Sequence, residues 1–233
     1  VITLGCVQSS YIPWRGYFDI IRRSDVFVFH DDIQYTKQDW RNRNRIKTPS
    51  GPAWLTVPVK KDSIGGAIDE VVVDDDQDWR KTHWRRIEGN YRLAPYFKEV
   101  APVLREAFQC EEKSLSAMNI RLIRLICGMI GINTPLVSSR GLRLEGRKTE
   151  RLILMCKAVG ATRYLSGPSG SNYLEADVFE ANGIELAYME YRYPEYPQQF
   201  AGFRGDLSIV DLLLNCGTDC LAYMDASSPD GTK

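Results

Sequence analysis

Short apolar runs alternate with helix-length stretches along most of this chain, and that alternation limits the fold more than any other feature. Residues 1–6 and 26–29 read as buried strands. Residues 15–23 between them read as a helix with Tyr17, Phe18, Ile20 and Ile21 turned inward. Together they make a β-α-β unit. The pattern resumes near residue 135, with strands at 135–138, 163–165 and 184–191. Helices are expected at 149–159, 172–182 and 207–215, the last two stopped by Gly183 and Gly217. Such alternation predicts an α/β fold, a mainly parallel, doubly wound, Rossmann-like sheet with helices on both faces.

The middle of the chain breaks the pattern. Residues 53–59 and 67–73 read as two short strands joined by a polar link, an antiparallel ribbon with Pro58 suited to an edge. Helices are expected at 77–91, 95–108 and 114–130, the first opened by the acidic run 74–78. The expected organisation is an α/β, nucleotide-binding-like core of residues 1–48 and 132–223, an inserted ribbon plus helices at 49–131, and a disordered tail at 224–233.

At 233 residues the chain can bury a substantial core. Lys plus Arg and Asp plus Glu are both 30, so the net charge is zero, which argues against general nucleic-acid coating but allows a local basic patch. No run of 18 apolar residues is present, so no membrane-inserted helix is expected. The first residues read as a strand, not a signal peptide. Six cysteines without a Cys-x-x-Cys pair, and only two histidines, argue against a zinc site and fit a reduced, cytoplasmic protein.

In a parallel sheet all strands end on one side, and the segments after these strands are polar. They are Gln8-Ser9-Ser10-Tyr11, His30 to Gln34, Ser138-Ser139-Arg140, Ser166 to Gly170, and Arg192 to Tyr196. Loops at that edge are where open α/β sheets bind ligands. His30, Asp31 and Asp32 form a candidate catalytic group, a general base with an orienting carboxylate. A histidine satisfied by backbone groups is the alternative. Lys37, Arg41, Arg43, Arg45 and Lys47 surround a single acid, Asp39, with Tyr35 and Trp40 alongside. The arginines suit phosphate or carboxylate and the rings suit a base or sugar, although an ion-paired surface ribbon would look similar. Ser166, Gly167, Ser169 and Gly170 form a small-residue loop before a helix, open to phosphate binding or to a plain capped turn. Cys6 ends the first strand, but no nearby cation is evident to activate its thiol. His83, among aromatic residues, reads as structural.

Two sets of motifs resemble a known family. One is Gln8 to Phe18, with Asp31-Asp32-Ile33-Gln34-Tyr35 and Trp40-Arg41-Asn42-Arg43-Asn44. The other is Tyr164 to Gly170 with Tyr173-Leu174, Tyr196-Pro197-Gln198 and Leu207 to Asn215. Together they resemble the WbqC-like family over residues 1–223. The resemblance implies a setting in surface-polysaccharide (O-antigen-type) biosynthesis and the tailoring of nucleotide-linked amino sugars. It places Gln8, Ser10, Tyr11, Trp14, Gln34, Tyr35, Asn42, Asn44, Tyr173, Tyr196 and Gln198 with the residues above among the expected substrate-binding groups. A more distant similarity links Tyr11 to Tyr17 with the His-x-Gly-His loop of adenylyltransferases and pantothenate synthetase. Trp14 and Tyr17 stand where the histidines would be, and neither can carry positive charge.

The expected function is therefore transfer of an acyl or aminoacyl group, glycyl among them, to the amine of a nucleotide-linked amino sugar. The donor is open between an aminoacyl-tRNA and an acyl thioester, and no other cofactor and no metal is expected. The alternatives are a non-catalytic nucleotide- or glycan-binding protein and a degenerate nucleotidyltransferase.

Overall fold

The structure is a computed structural model and describes residues 1–224. The tail expected at 224–233 therefore lies, except for Met224, outside the described residues. Strand β1 (Thr3–Val7), helix α1 (Arg15–Arg22) and strand β2 (Val26–Phe29) open the chain. A hairpin of β3 (Arg43–Thr48) and β4 (Gly51–Thr56) follows, then helices α2 (Trp79–Tyr91), α3 (Phe97–Phe108) and α4 (Leu115–Met129). The α/β pattern resumes with β5 (Leu136–Ser138), α5 (Ser139–Leu142), α6 (Lys148–Val159), β6 (Arg163–Ser166), α7 (Ala176–Ala181), β7 (Glu185–Tyr188) and α8 (Ile209–Cys216).

Five strands form one parallel sheet in the order β5-β2-β1-β6-β7. The chain builds outward from β1 in one direction, then returns to start again at β6. The topological switch point thus lies between β1 and β6, where such sheets hold ligands beyond the carboxyl ends of the strands.

Both sheet faces are covered, as the period-two alternation of a strand requires. Leu4 and Val28 pack on Leu152, Ile153, Met155 and Cys156 of α6 and Phe179 of α7. Phe27 and Phe29 face the other way into a larger cluster with α1, the hairpin, α2 to α4 and α8. Each such fully buried ring or aliphatic side chain contributes about 1.5–3 kcal/mol. Gly5 is required by close approach, because a Cβ there would lie 2.3 Å from Ser24 Oγ at the turn between α1 and β2.

Two local expectations are corrected. The sequence suggests pairing of residues 53–59 with 67–73; its end forms, as an antiparallel bridge between Val59 and Val73, while β4 pairs antiparallel with β3, from Arg43 opposite Thr56 to Thr48 opposite Gly51. The Arg-Asn-Arg-Ile run is a strand because its alternate residues, Asn44 and Ile46, turn inward. Residues 68–70 instead form a short 3-10 turn, with the Ala67 amide donating to Glu70 Oε2 at 3.0 Å. The helix expected over 172–182 is also divided, into a 3-10 turn (Pro168–Asn172) and α7. The loop folds tightly back on β6, so that a Cβ on Gly170 would lie 2.1 Å from Ser166 Oγ.

A candidate ligand cleft at the switch point

The segment after β2 is divided by the sheet. Asp31 is 1% exposed and accepts hydrogen bonds from the Ser9 amide at 2.7 Å and from Ser116 Oγ. Burial raises its pKa above the usual carboxylate value, against the lowering effect of those bonds. Both oxygens are engaged, so Asp31 ties the loop after β1 to α4. Asp32 accepts from Ser139 Oγ and Arg151 Nη2. His30 Nε2 lies 3.9 Å from Asp32 Oδ1, beyond hydrogen-bond reach, and is buried with no hydrogen-bond partner among the described residues. Burial lowers the His30 pKa, with Arg151 adding to the effect and Asp32 opposing it, so the imidazole is neutral at pH 7. Burial, Cys156 and the nearby carboxylates drive the Cys6 thiol far above its ordinary range, and it is no nucleophile as it stands.

On the other face, a cleft of about 360 Å³ opens beyond β1. Val7, Pro13, Trp14, Tyr17 and Trp40 give it apolar walls, and Ser10, Arg41, Asn44, Arg45 and Asp206 supply polar groups. Its size lies within the usual range for small-molecule sites. Arg41 donates to Ser10 Oγ at 3.2 Å and Gln8 Oε1 at 3.1 Å, and lies 3.5 Å from Asp39. The backbone carbonyl of Arg41 accepts from Asn119 Nδ2 of α4 at 2.8 Å. Arg45 pairs with Asp206 at 2.8 Å.

The loop after β1 is under backbone strain. Ile12 has φ of 37°, a region that a β-branched residue rarely enters. Strain of this kind costs about 1–3 kcal/mol and collects at functional sites. Asn44 Nδ2 secures the turn by donating to the carbonyls of Tyr11 (3.2 Å) and Ile12 (2.9 Å). The Trp14 ring lies over Gly16, where a Cβ would fall 2.3 Å from the indole. It meets Tyr191 edge-on at 4.8 Å. The Tyr191 hydroxyl in turn lies against Gly167, which brings the loop after β6 to the cleft wall.

The structure thus gathers Gln8, Ser10, Trp14, Trp40, Arg41 and Asn44 at the cleft, with Gly167 behind its wall. Other expected residues have different surroundings. Tyr11 is fully buried, bonds His83 Nδ1 at 2.8 Å, and packs on Trp79 and Phe108. Asn42 is buried and donates to the Val57 carbonyl. Tyr35 is buried, whereas Gln34 is exposed. Tyr196 and Gln198 donate to Asp211, each at 2.8 Å, within a buried network that includes Lys47 and Tyr91. Ser166 is buried, while Ser169 and Tyr173 are exposed on the loop after β6. Arg43 lies on Trp54, on the outer face of the hairpin.

Asp206, Arg151, Tyr191 and Trp54 are absent from the sequence-based set. Arg45 and Asp206 stand 161 residues apart, and Arg151 and Asp32 119 apart, so no local pattern signals either pair. Among the described residues no group of three or more His, Cys, Asp or Glu is placed to hold a metal ion. No described helix is long and apolar enough to cross a membrane.

The fold and cleft define a Rossmann-like α/β protein. The family model of the WbqC-like protein family matches residues 8–223, and the chain belongs to that family. A protein of Mycobacterium tuberculosis named "Uncharacterized protein Rv1507c" is 45% identical over 221 residues, which cover 94% of this chain and 95% of that protein. No solved structure matches the chain.

Proposed function

We propose that this chain is a cytoplasmic enzyme of surface-polysaccharide biosynthesis that transfers an acyl or aminoacyl group, such as glycyl, to the amine of a nucleotide-linked amino sugar. The observation that carries the reading is the switch-point cleft, where Arg41 and Arg45 sit among Trp14, Tyr17 and Trp40. Guanidiniums match a pyrophosphate, and indole faces match a sugar or base. In the reaction the neutral amine attacks the acyl carbonyl carbon. The ester C–O bond of an aminoacyl-tRNA, or the C–S bond of a thioester, breaks and releases the RNA hydroxyl or the thiol. The proton lost by the nitrogen passes through solvent in the open cleft to the departing oxygen or sulfur, because His30 Nε2 is buried across the sheet from the cleft and does not reach it. The core of residues 1–48 and 132–223 supplies the cleft, and the insertion at 49–131 braces it through Asn119.

The test is incubation of the purified chain with a panel of nucleotide-linked amino sugars and acyl donors, read by mass spectrometry. A mass gain on the sugar equal to the acyl group supports the reading. Binding without mass gain for any donor removes the transfer step. A second reading, a nucleotide- or glycan-binding protein derived from a nucleotidyltransferase ancestor, is favoured by two observations. His30 Nε2 stands 3.9 Å from Asp32, and the cleft is lined by neutral Trp14 and Tyr17 in the loop where adenylyltransferases carry histidines.

A further inference from the structure

The cleft is the first of three hollows in a row. Trp40 and Arg45 line both the cleft and a second hollow of about 280 Å³, which Gln38, Asp39, Arg43 and Trp54 complete. Trp54 also lines a third hollow of about 470 Å³ against α2, which includes Thr82 and Arg86. Shared wall residues set the three hollows side by side, from the switch point past the outer face of the hairpin to α2. Such a shape suits a linear ligand better than a compact one.

The chemistry of the groove repeats along its length. Trp40 and Trp54, 43% and 39% exposed, lie with ring centroids 5.5 Å apart. The Arg43 guanidinium sits 4.3 Å over Trp54, and Arg45 lies 5.2 Å from Trp54 and 5.5 Å from Trp40. The Arg43 side chain makes no hydrogen bond or ion pair with any described residue, its Nε is buried without a partner, and Asp39 acts on it from beyond ion-pair distance. Arg86 is exposed and donates only to the Trp54 carbonyl, at 3.0 Å. The carboxylates in the groove have their own cations: Asp39 lies by Arg41, Asp206 by Arg45 and Asp78 by Lys81. Arg43, stacked on the Trp54 indole, and Arg86, bonded to the Trp54 backbone carbonyl, thus make no ion pair with the described residues.

We propose that this groove binds the single-stranded 3′ end of an RNA, with the terminal nucleotide directed toward the cleft. Bases stack on Trp40 and Trp54 while Arg43 and Arg86 take backbone phosphates. Alternating aromatic faces and cations is how proteins hold single strands without reading sequence. The zero net charge of the chain confines the contact to this strip. The inference rests on the acyl-transfer reading for its purpose, since it selects aminoacyl-tRNA over a thioester as the donor.

The experiment is fluorescence anisotropy of a labelled, uncharged single-stranded RNA ending in CCA, titrated with the full chain without sugar or acyl donor. Trp54→Ala should weaken binding about tenfold, and Trp54→Phe should retain most of it. Arg43→Ala and Arg86→Ala should each flatten the slope of log affinity against log salt by about 0.7. Lys157→Ala, on the far helix α6, should leave binding unchanged. Failure to bind RNA, affinity indifferent to salt, equal affinity in Trp54→Ala and Arg43→Ala, or capture of a neutral oligosaccharide in place of RNA would overturn the proposal. The two readings can fail separately. Transfer from a thioester by a chain that does not bind RNA overturns the groove assignment and keeps the enzyme. RNA binding that follows the variants, without acyl transfer from any donor, keeps the groove and removes the enzyme.

Discussion

Replacing Asp31 separates an anchoring role from a catalytic one. The carboxylate is buried and receives two hydrogen bonds, from the Ser9 amide and from Ser116 Oγ. Asp31→Ala leaves both donors buried without an acceptor, at about 1–3 kcal/mol each, or roughly 2–6 kcal/mol in all. For a domain of this size, about 2–4 °C of melting temperature is lost per kcal/mol, so a fall of roughly 4–24 °C is expected. Asp31→Asn should behave differently. Its amide oxygen can accept from Ser9 while its NH₂ donates to Ser116, so the melting temperature near pH 7 should change little.

The pH dependence adds a second check. Burial raises the Asp31 pKa in the folded chain above its ordinary value of 3.8, so the folded state holds this proton more tightly than the unfolded state. Asp31 therefore favours folding when protonated, and its contribution declines as pH rises from the unfolded pKa through the folded one. Asp31→Asn should lack that decline in urea titrations across the same window. A general base would differ in turnover alone: Asp31→Asn would keep its stability near pH 7, as an anchor does, but lose its activity. An inactive Asp31→Asn with intact ligand affinity and melting temperature would refute the anchoring argument.

Two further outcomes follow from groups outside the cleft. His30→Ala should leave both sugar affinity and acyl transfer within about twofold of the wild type, because His30 lies buried across the sheet from the cleft. Lost turnover in a folded His30→Ala variant would contradict that placement. Lys47 is 2% exposed and donates to Gln198 Oε1, the Phe200 carbonyl and the Gly202 carbonyl beside ionisable Asp211. Lys47→Met should destabilise by about 3–5 kcal/mol, measured by chemical denaturation, because breaking a buried charge network leaves its other members unpaired. A loss under 1 kcal/mol would contradict the network's structural role.

The sheet was legible in the sequence because its strands are apolar and its helices amphipathic, and both signals survive in a single chain. Phe27 and Val28 face opposite layers, so a fully buried strand reads as a continuous apolar run. The hairpin was obscured because its inward residues include Asn42 and Asn44. These are buried through hydrogen bonds to backbone carbonyls and not through hydrophobicity, which leaves no apolar alternation to read. Loop convergence pointed to the region after β1, where the cleft lies, but not to which side chains turn inward. Tyr11 and Trp14 are three residues apart with similar chemistry. The strained turn at Ile12 sends the first into the core and leaves the second on the cleft. Asp31 and Asp32 diverge for the simpler reason that consecutive residues leaving a strand point to opposite faces. Tyr196 and Gln198 bond Asp211 on α8, a network without a signal in the sequence because nothing there shows that Asp211 is buried.

The most direct test of the central claim is calorimetric titration of a nucleotide-linked amino sugar into the wild type, Arg41→Ala and Trp14→Ala, with melting temperatures measured alongside. If the switch-point cleft holds the ligand, the wild type binds and both variants lose at least tenfold in affinity while remaining folded. Equal affinity in all three folded proteins would place the ligand elsewhere and contradict the account.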